Sequence, residues 1–285
     1  MEISELLKQI HEKLDYLKNK IDNKEDDSFF HLLQCMVHSP IFPEAVDPSL
    51  ICDLSNEDEK AERATNIIEI YIEEFLENKS FLDFGCGEGH TAFATLDKKT
   101  KISKGYDIKS ELFSKKITNA NPDLLTNNWD DISKNKYDVV LMYDVFDHLE
   151  NENPIDVMEK IKSVLSPEGK IYARMHPFIS RHANHYYHTL NKAFLHLIFT
   201  EDELEKITGV KPNTHTNKVF YPFATYTTIF NKAKIKIISQ NVIENEVEPY
   251  FKDNKAIMNR IMSRFNFTDP PLKQMAMSFI DFVLK

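Results

Sequence analysis

The sequence predicts an α/β fold built on a doubly wound, mainly parallel sheet, and two observations carry that prediction. Short apolar runs alternate with segments of helical period between residues 58 and 245, as parallel strands joined by right-handed crossover helices require. Three of the chain's six glycines, Gly85, Gly87 and Gly89 in "LDFGCGEGH", stand directly after one of those apolar runs.

The elements read as follows. Ile3, Leu7, Ile10, Leu14, Leu17 and Ile21 alternate spacings of four and three, which predicts an amphipathic helix over 2–22. Such a seam either packs on its own domain or joins two copies into a homodimer. "NKEDD" then reads as a charged break, and 29–57, crossed by Pro40, Pro43 and Pro48, as a loop-rich cap. "DEKAERATNIIEIYIEEFLE" is helical, with Ala64, Ile67, Ile68, Tyr71, Ile72 and Phe75 on one side. Strands follow in "SFLDFG", "KISKGYD", "DLLTNN", "YDVVLMYD" and "GKIYARM", with a helix over "NPIDVMEKIKSVL" before the last. Thr200 with Glu203 predicts a helix start, and Gly209 its end. "KIKIISQNVI" reads as a late strand. "DPPLKQMAMSFIDFVLK", with Asp269 as cap, reads as a closing helix. The expected organisation is a helical extension over 1–57, a core over 58–245 carrying a lid at 177–215, and a C-terminal helical segment over 246–285.

Composition narrows the function classes. Hydrophobic residues make up 42% and charged residues 28%, as in ordinary soluble domains. No apolar run approaches the roughly 18–20 residues that span a bilayer. The net charge of -10 argues against general nucleic-acid binding. Cys35, Cys52 and Cys86 form no CxxC pair, and an odd count suits reduced thiols. With an N-terminus too polar for a signal sequence, a cytoplasmic location is expected.

Glycines after a strand let the chain turn sharply and let a ligand approach the backbone. A dinucleotide fingerprint needs G-x-G-x-x-G, but the third position counted from Gly85 is His90. The observed "D-x-G-x-G-x-G" resembles motif I of the class I S-adenosylmethionine-dependent methyltransferases. The resemblance runs over residues 80–176. Asp107 in "GYDI", eighteen residues past Gly89, stands where that family has its ribose-binding acid. "KYDVVLMYDVFDHL" is similar to its fourth-strand motif, and "VLSPEGKIYARM" to its next turn and strand, with Glu168 in place of the first of two glycines.

The resemblance implies S-adenosylmethionine as cofactor and a Rossmann-like fold. It assigns the methionyl carboxylate to the Gly85–Cys86–Gly87–Glu88–Gly89 backbone and the ammonium to Asp83 or a nearby carbonyl. The ribose hydroxyls go to Asp107, and the adenine to Ile108 and to Asn128, Trp129 or Asp130. Ordinary packing is an equal reading for Trp129. From the fourth strand's end, Tyr143, Asp144, Asp147 and His148 are candidates at the reacting centre, His148 first for positioning and second as a base.

The segment Lys170–Thr200 holds five histidines, Arg174, Arg181, Lys170 and Lys192, and no acid. It leaves the fifth strand toward the face where parallel α/β folds bind ligands. The expectation is a helical lid that presents Arg181 and part of its histidine row to an anionic small-molecule acceptor, with His176 near the methyl group. The bland alternative is a packing helix. Two other functional readings remain. "DVFDH" resembles the acid-and-histidine set of metal-dependent RNA 2′-O-methyltransferases, with His176 or His182 completing it. An inactive binding module is the other.

Overall fold

The structure, a computed structural model, describes residues 26–48, 51, 55–72, 76–149, 152–183, 186–210, 223–265, 267 and 270–285. The N-terminal heptad seam and Asp269 lie outside the described residues.

In chain order the elements begin with helix α1 (Asp26–Val37) and helix α2 (Glu57–Tyr71). Strand β1 (Ser80–Phe84), short helix α3 (His90–Ala94), β2 (Ile102–Tyr106), α4 (Lys115–Ala120), β3 (Leu125–Thr126), α5 (Trp129–Ser133) and β4 (Tyr137–Tyr143) follow. Then come α6 (Pro154–Val164), β5 (Leu165–Met175), α7 (Leu195–Ile198), α8 (Glu201–Thr208) and α9 (Phe223–Lys232). The last elements are β6 (Ile237–Glu244), α10 (Pro249–Asp253), α11 (Lys255–Arg264), α12 (Pro271–Ala276) and β7 (Met277–Leu284).

The strands form one sheet in the order β3-β2-β1-β4-β5-β7-β6. β1 to β5 are mutually parallel, and β7 runs antiparallel between β5 and β6. The order reverses between β1 and β4, which opens a crevice at the strands' carboxyl ends. β1 is buried along its whole length, as a central parallel strand covered on both faces must be. One face packs Leu82, Val140, Ile171 and Phe282 under α6 and α9, and the other packs Phe81, Val139 and Tyr172 under α2.

Three expectations give way. Residues 29–37 are not loop: α1 buries Leu32, Leu33 and Val37, and the prolines come only after its end. The closing helix stops at Ala276, and Met277–Leu284 is a strand. Its Ile280, Phe282 and Leu284 are buried on one side while it bonds to β5 and β6, so ladder pairing on both edges overrides a helix-like stripe. Finally, 181–183 is a turn and 186–188 a single 3₁₀ turn, so Arg181, His182 and His188 do not stand on an α-helix.

The loop, α1 and the late helices share a second core. Leu33 and Phe42 meet Phe194, Phe199, Phe251, Ile257 and Met275 there. α8 enters this cap through the capping box the sequence signals. The Glu203 N–H donates to Thr200 Oγ1 at 3.2 Å, and the Thr200 N–H donates to Glu203 Oε2 at 2.7 Å. Gly209 ends it in the left-handed region. Thr200→Ala should therefore cost about 0.5–2 kcal/mol of stability, read as a lowered urea midpoint.

Candidate active site

The glycine loop links β1 to α3 at the order reversal. All three of its glycines have positive φ: +76° at Gly85, +52° at Gly87 and +91° at Gly89. A side chain at Gly85 would run into Val145, and one at Gly89 into Leu125. Gly87 faces open space instead. Two of the glycines thus serve packing, and the middle one leaves backbone open to a ligand.

Asp107 organises this loop from the end of β2. Its Oδ2 accepts the Gly87 N–H at 3.0 Å, and its Oδ1 accepts the Lys109 N–H at 2.9 Å. Ile108, beside it, is an exposed apolar side chain, 61% accessible. Asp83 is buried below the loop. Burial pushes its carboxyl up to about 7 against a backbone bond from Ala92, and the Asp107 charge adds to the rise. Burial also raises the Cys86 thiol, so it is no thiolate nucleophile. Glu88 turns to α2, where Lys60 Nζ donates to it at 2.8 Å and His90 Nε2 lies 3.3 Å away.

The third-strand residues divide. Asn128 caps α5 by accepting the Asp130 N–H at 3.1 Å. Trp129 packs edge-on against Tyr106, centroids 5.3 Å apart, and the Lys160 ammonium sits 4.4 Å from its ring centre. Trp129 thus has packing contacts on the core side and remains partly accessible. Asp130 is exposed.

At the end of β4, Tyr143, Asp144 and His148 are half-buried. The side chain of Asp147 lies outside the description. Tyr143 meets Tyr71 of α2 at 5.4 Å between ring centres. Arg174 lies between Tyr71 at 4.0 Å and Phe279 at 4.4 Å. It also holds Asp281 through Nε and Nη2 at 2.7 and 2.8 Å. Phe279 continues to His176 at 4.8 Å and His182 at 5.3 Å, and the two imidazoles are 4.6 Å apart. Burial pushes His182 down to about 4, helped by the Arg181 charge, so it is neutral at pH 7. Sequence reasoning missed Tyr71, Asp281 and Phe279. The available signal was Arg174, a charge inside an otherwise apolar strand that needs a partner.

One expectation is corrected. Arg181 is committed to Glu248 and to the Glu44 carbonyl. Lys192 donates to the carbonyls of Ser39 and Phe42. These cations hold the cap together instead of facing an anion. The metal reading, Asp144, Asp147 and His148 with His176 or His182, turns on Asp147, whose side chain lies outside the description. Among the described residues only Glu57, Glu88 and His90 bring ligand atoms within 4.8 Å of one another, and Lys60 already bridges the two carboxylates.

Residues 82–171 match the family described as "Methyltransferase domain". That segment is a methyltransferase domain, in keeping with the resemblance its motifs carry. The strand order, with its antiparallel seventh strand, is the doubly wound sheet expected of such a methyltransferase. Among solved structures, a SAM-dependent methyltransferase from Archaeoglobus fulgidus aligns at 14% identity, covering 79% of this chain and 94% of that one, with a TM-score of 0.48. One from Clostridium acetobutylicum ATCC 824 aligns at 13% identity over 78% and 89%, TM-score 0.45. The magnesium protoporphyrin IX methyltransferase of Synechocystis PCC 6803, with bound SAH, aligns at 15% over 80% and 87%, TM-score 0.44. A search of curated proteins finds no match. No helix among the described residues is long and apolar enough to cross a membrane.

S-adenosylmethionine is the methyltransferase's cofactor, and the loop fits it. Gly87 leaves room, and Asp107 stands beside the exposed Ile108. Buried Asp83 suits an ammonium once ionised. That last point has a pH signature. The folded pKa of Asp83, about 7, lies above the unfolded value of ~3.9. Its neutral form therefore favours the fold, and this contribution is full below pH ~4 and lost as pH rises through about 7. Ligand affinity should run the other way. Binding of S-adenosylhomocysteine should strengthen as pH rises through about 7, and Asp83→Asn should flatten that slope in calorimetry.

Proposed function

We propose that this methyltransferase transfers the methyl group to an uncharged, ring-bearing small molecule held between the ends of β4 and β5 and the cap. One observation carries the reading. Tyr71, Tyr143, Phe279, His176 and His182 form a continuous wall of rings at the strand ends, and the one guanidinium within it is neutralised by Asp281. Burial holds His182 uncharged at pH 7, and Arg174 is paired with Asp281. Among the described residues the guanidinium in this wall is already paired, which favours an uncharged acceptor over the anionic one expected from the basic segment.

The bound cofactor supplies a methyl group already activated on a sulfonium. What the chain then contributes is alignment of the acceptor with that methyl and exclusion of water. The ring wall orients a flat acceptor by stacking. The glycine loop, Asp107 and Asp83 fix the cofactor's opposite end.

The test is transfer of labelled methyl from S-adenosylmethionine into a fractionated lysate. Label is expected in the neutral, low-molecular-weight fraction. Label in RNA, in protein or in strongly anionic metabolites alone would replace the acceptor class proposed here.

A further inference from the structure

Asp144 stands where β4 leaves the sheet, and its N–H donates to the Arg174 carbonyl at 3.0 Å. Its φ is +55°, a left-handed conformation that costs most side chains and is tolerated best by Asn, Asp and Gly. Its Oδ1 is buried without a hydrogen-bond partner. Backbone strain and an unmet buried acceptor thus coincide in one residue, at the ligand-binding ends of the strands. The nearest cation does not relieve it, because Arg174 already engages both carboxylate oxygens of Asp281.

We propose that Asp144 Oδ1 receives the hydroxyl proton of a phenol-class acceptor, which makes the enzyme an O-methyltransferase. The inference rests on the ring-bearing acceptor proposed above and adds its nucleophile. As the acceptor oxygen bonds to the methyl carbon, the carbon–sulfur bond breaks and its electron pair goes to sulfur. The O–H electron pair stays on oxygen, and the proton passes to Oδ1. The products are an aryl methyl ether, S-adenosylhomocysteine and a protonated Asp144 that returns its proton to water. A neutral amine attacks with its lone pair and keeps its proton through the transfer, so it has no need of this carboxylate. A phenol does need it.

The surroundings support a proton acceptor working near neutrality. Burial pushes the Asp144 carboxyl up to about 7, against the opposing charges of Arg174 on β5 and Arg63 on α2 and with the help of Asp281 on β7. Among the described residues, Tyr143, on its own strand, and Tyr71, on α2, also feel its charge. A base with a pKa close to the working pH combines availability with driving force.

The experiment uses 2-naphthol as probe, with 2-methoxynaphthalene as the matched ligand that lacks the proton. 2-Naphthol should bind the complex of the full chain with S-adenosylhomocysteine, and the methyl ether should bind about tenfold more weakly or less. Asn keeps the left-handed backbone, so Asp144→Asn should leave S-adenosylhomocysteine affinity within about twofold. The same change should slow formation of 2-methoxynaphthalene from S-adenosylmethionine by about 10²-fold or more, and remove the acid limb of kcat/KM. Asp144→Gly relieves the strain, so it should fold at least as stably and be equally slow. Equal binding of the two naphthalenes, no binding of 2-naphthol, or full activity in Asp144→Asn would overturn the inference. So would a large loss of S-adenosylhomocysteine affinity in that variant, which would make Asp144 an anchor for the cofactor's ammonium. Failure of the wild type to bind S-adenosylhomocysteine at all would instead strike the methyltransferase reading beneath it.

Discussion

Replacing Asp281 by Ala should lower the unfolding free energy by about 3–5 kcal/mol, the range for removing one partner of a buried ion pair. Arg174 is 5% accessible and lies between the rings of Tyr71 and Phe279. Its pKa is raised, against the desolvation that opposes it, by the bonds to Asp281. It therefore cannot escape the loss by shedding its proton. Asp281 itself is 25% accessible, so water reaching that side should place the result toward the lower end of the range. The two residues sit opposite each other across the β5–β7 pair, which ties the charge pair to the strand register. Arg174→Met with Asp281→Leu should recover most of the stability, because an apolar pair of similar volume needs no solvation. Guanidinium unfolding of the three proteins gives the answer. A cost under about 1 kcal/mol in Asp281→Ala would mean that the cleft admits water to the guanidinium.

Asp107→Ala should weaken S-adenosylhomocysteine binding by about 1.5–3 kcal/mol, or roughly 10- to 150-fold. The carboxylate would accept the two ribose hydroxyls, and it also holds the Gly87 and Lys109 N–H groups in place. These contributions separate experimentally. A 2′,3′-dideoxy analogue of S-adenosylhomocysteine has no hydroxyls to lose, so its affinity should fall much less in the variant. If both ligands lose affinity equally, Asp107 acts by shaping the loop alone. If neither does, the ribose assignment fails. The side chain is half-exposed, so the variant should stay folded, and its thermal midpoint is the control.

Local sequence determined a large part of this protein. The glycine loop, the β1, β2 and β4 strands, the capping box at Thr200–Glu203 and the stop at Gly209 are set by residues within a few positions of each other. Steric limits on φ, side-chain capping and short apolar runs act at that range. The spacing from Gly89 to Asp107 was legible for the same reason, because one strand–helix–strand unit fixes it. Tertiary structure decided what depends on partners far along the chain. Met277–Leu284 has a stripe that suits either a helix or a strand, and only the open edges of β5 and β6 make it a strand. Arg181 reads as a free cation until Glu248 and the Glu44 carbonyl, from two distant segments, take it up. His182 is held neutral by burial and packs against His176 and against Phe279 of the last strand. The character of the acceptor wall belongs to this second class, since charge is cancelled and rings are stacked by contacts that no spacing in the sequence records.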